Sequence, residues 1–427
     1  MRADAEVSTA VNPQGTAVAS ILVVSQFYPP ADQGEATVTW KFVASLAERG
    51  FRITVISESR PNDASGWWEL PGVSIRRISA LPRGVPARLA SNLGRLRLGT
   101  YWASWWAARA AVLGSGLIRH HAFAALVTRT EPGSGVVVGK ALCDLTGVPW
   151  VAAIGDPHPP CLYPPPYGPG RLVTIRDRAH GRWVARALSH ARAVVLPSAR
   201  LARWLDGHGV LPGGVPVIVI PHPGLAGVPE ATIANRRCLL LHAGTLRLGR
   251  TGAPFLHVLE RVLRASPELT SQLEIRLLGG ADERSLAAAR SDLLREVVRV
   301  EPLLPPIELR RVIAQADALL LLEAELQEGV FLPSKLSDYA VSGRPVLMFS
   351  PRDGTVSDLV GGTRHPGFLS QDPEEAAHRL ARFVTRRRAG DACLDYHVSP
   401  APGMRLEEHA SLWARLFGIP SGAGVVS

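Results

Sequence analysis

The segment EGVFLPSKLSDYAVSGRP, residues 328–345, combines a helix start with residues that bind anions. Pro333 is tolerated in the first turn of a helix, so the segment predicts a helix that begins beside Ser334. The amides around Ser334 and Leu336 would be free N–H groups at the positive end of the helix dipole. Lys335 adds a cationic point charge to the same place. Together these groups could bind a diphosphate.

Acidic residues stand on both sides of this lysine. Glu328 precedes the predicted helix, and Asp338 lies about one turn into it. Their oxygens are acceptors that suit the hydroxyl groups of a sugar or a ribose. Acids near a helix N-terminus also complement its dipole without binding any ligand. Both interpretations stay open at this level.

Two glycine loops follow predicted strands in the same half of the chain. In HAGTLRLGRTG, Gly244 permits close backbone approach, while Arg247 and Arg250 could clamp phosphate oxygens. Gly279 and Gly280 follow the apolar run LEIRLL. The second loop could contact a nucleotide or be a plain turn after a strand.

Alternating apolar runs and helical patterns must position these loops. The segment ILVVSQFYPPADQGEATVTWKFVASLAERGFRITVIS is a strand, a helix and a parallel strand. Further strands are predicted at residues 125–129, 149–154, 192–196 and 215–220, and a second series at residues 238–244, 273–280, 297–301, 316–322 and 345–350. The pattern predicts an α/β protein with two Rossmann-like doubly wound domains facing a central cleft.

Domain boundaries follow from the same pattern. At 427 residues the chain exceeds the size of a single core. We expect a disordered leader at residues 1–19, an N-terminal domain at 20–222 and a C-terminal domain at 236–400. A helix at 402–419 is expected to pack back across the domains.

Composition narrows the class of protein. Hydrophobic residues make up 46% of the chain and charged residues 20%, which is typical of a globular protein. The four cysteines are widely separated and have no metal-ligand spacing, so reduced thiols and a cytoplasmic location are expected. The N-terminus lacks the apolar core of a signal peptide, and no apolar run reaches about 18 residues.

The net charge of +10 favours a polyanionic partner, unless the arginine excess reflects coding bias. Nucleic acid is the partner least favoured, because the arginines are spread along the chain and no recognised module is present.

Four phrases occur in an order and spacing that resembles the GT-B glycosyltransferases, specifically the group-1, family-4-like members. They are ILVVSQFYPPADQGEATVTWKFVASLAERGFRITVIS, TGVPWVAAIGDPHP, LLHAGTLRLGR and EGVFLPSKLSDYAVSGRPVLMFSPRDGTVSDL, and they cover most of residues 20–420. The resemblance implies retaining transfer of a sugar from a nucleotide diphosphate to a hydroxyl acceptor, with no metal or other cofactor. The acceptor would be a lipid-linked glycan, a polysaccharide precursor or a natural product. A sugar-nucleotide epimerase of the same shape and a catalytically degenerate binding subunit are the alternatives.

The resemblance also implies donor-binding roles. Arg250, with Arg247 as the alternative, and Lys335 would bind the donor diphosphate, assisted by amides at Ser334 and Leu336. Gly244 and Gly279 would belong to the same donor site. Asp338 stands where the family has a glutamate for the ribose, and Glu328 would face the donor sugar or its phosphate.

In the first domain, the resemblance places Gly34 near the diphosphate. The loop PPADQGEA carries this one glycine, where relatives usually have two or three. Asp156 and His158, in GDPHP, would lie near the acceptor and are the candidates for catalysis, together with Glu328. No metal ligand is expected.

An arginine- and tryptophan-rich insertion, residues 81–121, has two interpretations. Trp102, Trp105, Trp106 and Arg109 are spaced at i, i+3, i+4 and i+7 of a helix. An interfacial helix would make peripheral contact with the inner face of the membrane and favour a lipid-linked acceptor. A core-facing helix would make a soluble acceptor equally favoured.

Overall fold

The computed structural model describes residues 19–31, 33–60, 66–79, 92, 104–129, 133–164, 174–225, 227–229, 237–246, 250–369 and 372–419. The expected leader, Arg247 and most of the 81–121 insertion lie outside this part of the chain. The described residues fall into two compact units. The first lies within Met1–Leu162, Leu172–Ile220 and Leu406–Ser427, and the second within Tyr163–Arg171 and Pro221–Arg405.

In the described part of the first unit, seven parallel strands form one sheet in the order β3-β2-β1-β4-β5-β6-β7. The strands are β1 Ser20–Val24, β2 Arg52–Glu58, β3 Val73–Ile78, β4 Ala125–Arg129, β5 Trp150–Ala153, β6 Ala193–Leu196 and β7 Val217–Val219. The helices are α1 Gly34–Glu48, α2 Trp105–His120, α3 Ser134–Thr146, α4 Ile175–Leu188 and α5 Ala199–Gly207. A short 3-10 turn covers Pro160–Leu162.

The second unit repeats this plan over its described residues, with six parallel strands in the order β10-β9-β8-β11-β12-β13. The strands are β8 Cys238–Ala243, β9 Leu273–Leu278, β10 Val298–Glu301, β11 Ala318–Leu322, β12 Val346–Phe349 and β13 Phe368–Leu369. The helices are α6 Ala253–Ala265, α7 Glu283–Ala288, α8 Asp292–Val297, α9 Pro306–Gln315, α10 Ser334–Ser342, α11 Thr355–Leu359 and α12 Pro373–Arg388. The 3-10 turns are Pro267–Ser271 and Leu394–Tyr396.

The central strands are apolar on both faces because helices cover both sides of a parallel sheet. Every residue of β8 (CLLLHA) and β11 (ALLLL) is buried. Strand order reverses beside β1 and β4 in the first sheet and beside β8 and β11 in the second. In a doubly wound fold, ligands bind outside the carboxyl ends of strands at this reversal. The α/β fold with two Rossmann-like sheets is therefore confirmed.

The last helix, α13 (Leu406–Leu416), packs in the first unit. The ring centroids of Trp413 and Phe42 of α1 are 4.8 Å apart. Arg49 Nη1 donates to Ser411 Oγ at 2.9 Å. The chain therefore returns to its starting unit after completing the second one.

Helix α2 is the described part of the arginine- and tryptophan-rich insertion. Trp106 and Ala110 are buried, and a Cβ at Gly114 would lie 2.8 Å from Leu142 of α3, so the two helices pack closely. Trp105 is partly exposed, with the Arg109 guanidinium 6.0 Å from its ring centroid. Trp102 lies outside the described residues. Within the described chain, every helix is too short or too polar to cross a membrane.

Candidate functional site

Two glycines close the carboxyl edge of the second sheet. Gly244 follows β8 with a φ of +120°, and Gly279 follows β9 with a φ of +107°. A Cβ on Gly279 would lie 2.8 Å from the Gly244 carbonyl carbon and 2.9 Å from the Thr245 nitrogen. The Gly244 N–H donates to the Leu278 carbonyl at 2.6 Å. Because backbone meets backbone here, no larger residue fits at position 279 without displacing the loop.

Lys335 lies across this glycine edge. Helix α10 begins at Ser334 after Pro333, with no side chain capping its N-terminus. A Cβ on Gly244 would collide with Lys335 Cε and would lie 3.0 Å from Nζ. The structure therefore brings together the bare backbone that follows β8, an ammonium group and the N-terminus of α10, as an anion site requires.

Tyr339 ties α10 to the end of β8. Its hydroxyl accepts the Ala243 N–H at 2.9 Å, and its ring is 1% exposed. Burial raises the pKa of this hydroxyl, so it stays protonated and neutral. The bond fixes the end of β8, directly before Gly244, to the helix that carries Lys335.

His242 belongs to this site, although the sequence interpretation did not select it. It is fully buried, and its Nδ1 lies 2.8 Å from the Leu320 carbonyl oxygen of β11. Burial, with the charges of Lys335 and Arg250, lowers its pKa to about 3. The available signal was a histidine inside the apolar strand CLLLHA, directly before the glycine loop.

Arg250 lies three residues before α6, and hydrogen bonds fix the residues that join it to the helix. Ser285 Oγ accepts the Gly252 N–H at 2.7 Å and contacts Thr251 Oγ1 at 3.2 Å. Ser285 Oγ also donates to Asp282. The charge of Arg250 also contributes to the lowered pKa of the buried His242. Arg247, its alternative, lies outside the described residues.

Asp338 has a backbone partner within its own unit. Its Oδ1 accepts the Leu225 N–H at 2.7 Å. A Cβ on Gly224 would lie 2.5 Å from the Ser337 carbonyl oxygen, so this segment packs directly on α10. Asp338 therefore holds the 221–225 segment against the helix that carries Lys335.

Glu328 begins a loop that is pinned to its neighbour. The Gly329 N–H donates to the Asp353 carbonyl at 2.9 Å, and the Thr355 N–H donates to the Gly329 carbonyl at 2.7 Å. Glu328 is partly exposed. The loops after β11 and β12 are thus fixed to one another beside α10.

The reversal point of the first sheet is built differently. Gly34 is the first residue of α1, and a Cβ there would have no atom within 4 Å. Glu35 pairs with Arg129 at the end of β4 through Nε–Oε1 at 2.7 Å and Nη2–Oε2 at 3.2 Å. The arginine is 6% exposed. This edge therefore neutralises its own charge through a bidentate pair.

A second polar group lies at the same edge. Gln26 Nε2 donates to Glu58 Oε2 at 2.7 Å, and Ser134 Oγ donates to Gln26 Oε1 at 2.9 Å. Arg60 Nη2 lies 3.2 Å from Glu58 Oε1. Sequence interpretation missed these residues, whose signal was their position at the ends of β1 and β2 and the start of α3.

Asp156 and His158 differ in solvent exposure. Asp156 is partly exposed, whereas His158 is 1% exposed with its ring centroid 5.8 Å from that of His180 on α4. Burial, with the influence of His180, lowers the pKa of His158 to about 3. His158 therefore lies within the packing of the first unit as a neutral imidazole.

The described residues contain no group of three or more His, Cys, Asp or Glu side chains that could hold a metal ion.

No protein-family model matches the chain. No curated protein matches it in sequence.

Solved structures do resemble it over nearly its whole length. A UDP-forming α,α-trehalose-phosphate synthase from Burkholderia xenovorans in complex with glucose-6-phosphate shares 12% identity, with 94% of this chain and 100% of that chain covered and a TM-score of 0.62. HepE from Anabaena in complex with UDP-glucose shares 14% identity, with 92% and 94% covered and a TM-score of 0.57.

A putative UDP-N-acetylglucosamine 2-epimerase from Listeria monocytogenes shares 11% identity, with 96% and 100% covered and a TM-score of 0.58. At these identities the similarity concerns the fold. The chain has the GT-B fold.

Proposed function

We propose that this protein is a retaining glycosyltransferase that moves a sugar from a nucleotide diphosphate to a hydroxyl acceptor. One observation carries the proposal: the Lys335 side chain lies on Gly244 at the strand-order reversal of the second sheet. A diphosphate placed there meets an ammonium, bare strand-end backbone and the N-terminus of α10. UDP-glucose bound to HepE, which has this fold, supports a nucleotide sugar as the donor.

The proposed chemistry follows from charge. As the bond between the sugar anomeric carbon and the phosphate oxygen breaks, negative charge grows on the leaving diphosphate. Lys335, Arg250 and the α10 amides are preorganised to stabilise it, so no metal is expected. The acceptor oxygen bonds to the anomeric carbon on the face the phosphate leaves, and its proton passes to a phosphate oxygen. No side chain is assigned as the general base.

The acceptor is proposed to bind at the reversal point of the first sheet. There the Glu35–Arg129 pair and the Gln26–Glu58–Ser134 group offer donors and acceptors with little uncompensated charge. Such a surface suits sugar or natural-product hydroxyls. A lipid-linked acceptor would add peripheral membrane contact through residues 81–121.

Sugar-nucleotide epimerisation is the second candidate, because the putative epimerase from Listeria monocytogenes has the same fold. It would use the same diphosphate site without a second substrate. Product analysis separates the two functions, since a transferase releases nucleotide in proportion to a glycosylated acceptor, whereas an epimerase isomerises the intact donor.

The donor site is tested by thermal shift with UDP, GDP and ADP and their glucose conjugates. At least one is expected to stabilise the wild-type protein, and Lys335→Ala should remove most of that stabilisation. Lys140→Ala is the matched control, because Lys140 pairs with Asp144 on α3 in the first unit, a salt bridge of little energetic weight. No stabilisation of the wild type, or equal stabilisation of Lys335→Ala, would show that the proposed site is wrong.

A further inference from the structure

His242 lies in the proposed donor site, yet the transfer chemistry gives it no task. It lies near the end of β8, two residues before Gly244. Its Nδ1 lies 2.8 Å from the Leu320 carbonyl oxygen. A carbonyl can only accept, so Nδ1 carries the proton and donates it.

The other ring nitrogen is the informative atom. A neutral imidazole has one N–H, so Nε2 carries a lone pair and acts as an acceptor. Nε2 is buried and makes no hydrogen bond of good geometry among the described residues, although the backbone of Gly244 lies close enough to the ring to raise its pKa. Folded proteins leave few buried polar atoms unsatisfied, so an acceptor enclosed beside a ligand site points to a donor that moves onto it when the site is occupied.

Lys335 is the donor best placed to reach it. The charges of Lys335 and Arg250 both lower the pKa of His242, and Lys335 has the larger effect. The end of the Lys335 side chain lies over Gly244, two residues from His242. An ammonium has three N–H groups on a flexible stem, so one can bond to Nε2 while the others face phosphate oxygens.

We propose that His242 is a positioning residue for the donor diphosphate. Its Nδ1–H is held by the Leu320 carbonyl, and its Nε2 accepts from the Lys335 ammonium and fixes it toward the phosphates. This role rests on the proposed function. With His242 included, the proposed donor site extends from the Gly244 loop into the core of the second sheet.

Two substitutions test the two ring nitrogens of His242 separately. His242→Asn places an amide N–H near the Nδ1 position, keeping a donor to Leu320 but no acceptor at Nε2. His242→Gln reaches the Nε2 position with its amide oxygen. Calorimetric titration would use UDP, GDP and ADP, each beside its own nucleoside, so that the diphosphate contribution is measured separately.

His242→Asn is expected to weaken binding of the preferred nucleoside diphosphate by about tenfold, the scale of one hydrogen bond to a charged group, and to leave nucleoside binding unchanged. His242→Gln is expected to restore most of the loss. Unchanged diphosphate affinity in His242→Asn, or equal losses for diphosphate and nucleoside, would overturn the positioning role.

Nitrogen-15 NMR of the wild-type imidazole provides a measurement that needs no variant. The protonated nitrogen should be Nδ1, and the Nε2 resonance should shift when the nucleoside diphosphate is added. A proton on Nε2, or an unshifted resonance at saturation, would refute the proposal. If the wild type binds no nucleoside diphosphate, the proposed function itself fails and the role of His242 fails with it.

Discussion

The two sheets reverse strand order at equivalent places, but their edges are built from different chemistry. At β1 and β4, a bidentate Glu35–Arg129 pair occupies the reversal point, and Gly34 opens a helix with free space around its Cα. At β8 and β11, the glycines are tightly enclosed and Lys335 lies directly on one of them. One edge satisfies its own charge, and the other assembles positive charge on bare backbone.

Under the proposed function, this difference would let one topology serve two ligand types. The strand-order reversal creates a place for a ligand whatever the residues are. Side chains then decide which ligand fits: an internally neutral edge suits hydroxyl groups, and a cationic glycine edge suits phosphates. The proposed acceptor and donor sites differ in this respect, and the substitutions below test the difference.

Gly279→Ala should produce the largest loss. The new Cβ would meet the Gly244 backbone at 2.8 Å in a residue with a φ of +107°. Overpacking and backbone strain together should lower the free energy of unfolding by roughly 4 kcal/mol. Nucleotide binding should be lost as the Gly244 loop moves. Chemical unfolding and calorimetric titration measure the two effects.

Gly34→Ala is the matched control in the first unit. Its Cβ meets no atom within 4 Å, and Gly34 is the first residue of a helix, so stability should change by less than about 0.5 kcal/mol. A large loss for Gly34→Ala, or a tolerated Gly279→Ala, would remove the proposed difference between the edges.

Arg129→Met should be the next most damaging change. It leaves Glu35 without its bidentate partner at a largely buried position, and breaking such pairs lowers stability by roughly 3 kcal/mol. Nucleoside diphosphate affinity should stay within about twofold of wild type, because the donor edge is unchanged. Unfolding measurements on Arg129→Met, Glu35→Gln and the double variant would give the coupling energy. A coupling near zero would contradict the paired edge.

Acidification should destabilise the protein through the buried histidines of both units. His158 and His242 each have a folded pKa of about 3, well below the ordinary value for histidine. Between pH 6.5 and 3 the unfolded chain binds protons that the folded chain does not. Stability is therefore full above about pH 6.5 and falls as pH decreases, by about 1.4 kcal/mol per pH unit for each histidine.

Unfolding free energies measured between pH 5 and 7.5 test this slope, in a range above the titration of most carboxylates. His158→Phe and His242→Asn should each reduce the slope of unfolding free energy against pH by about 1.4 kcal/mol per pH unit, the contribution of one histidine. An unchanged slope in either variant would mean that the histidine is protonated in the folded protein.

Much of the fold was predictable because buried parallel strands have a strong sequence pattern. The runs that form β4, β8 and β11 are almost wholly apolar, and the predicted bounds differ from the observed ones by two residues at most. Two strands were missed. In β3 (VSIRRI), arginines interrupt an edge strand, and β13 has only two residues.

The site was predictable where a local rule applied and unpredictable where distant elements meet. Pro333 before Ser334 identified the start of α10, since this rule involves neighbours in sequence. The burial of His158 depends on its packing beside His180 of α4, which no local pattern contains.

The sequence by itself determined where strands and helices alternate, because burial on a parallel sheet demands apolar runs of fixed length. It also marked the glycines, Lys335 and the helix start, whose properties are local. Tertiary structure alone decided that Lys335 lies on Gly244, that Asp338 holds Leu225, and that His242 is a neutral buried ring. These facts depend on desolvation and on contacts between residues about 80 to 110 positions apart in the chain, which only the folded packing brings together.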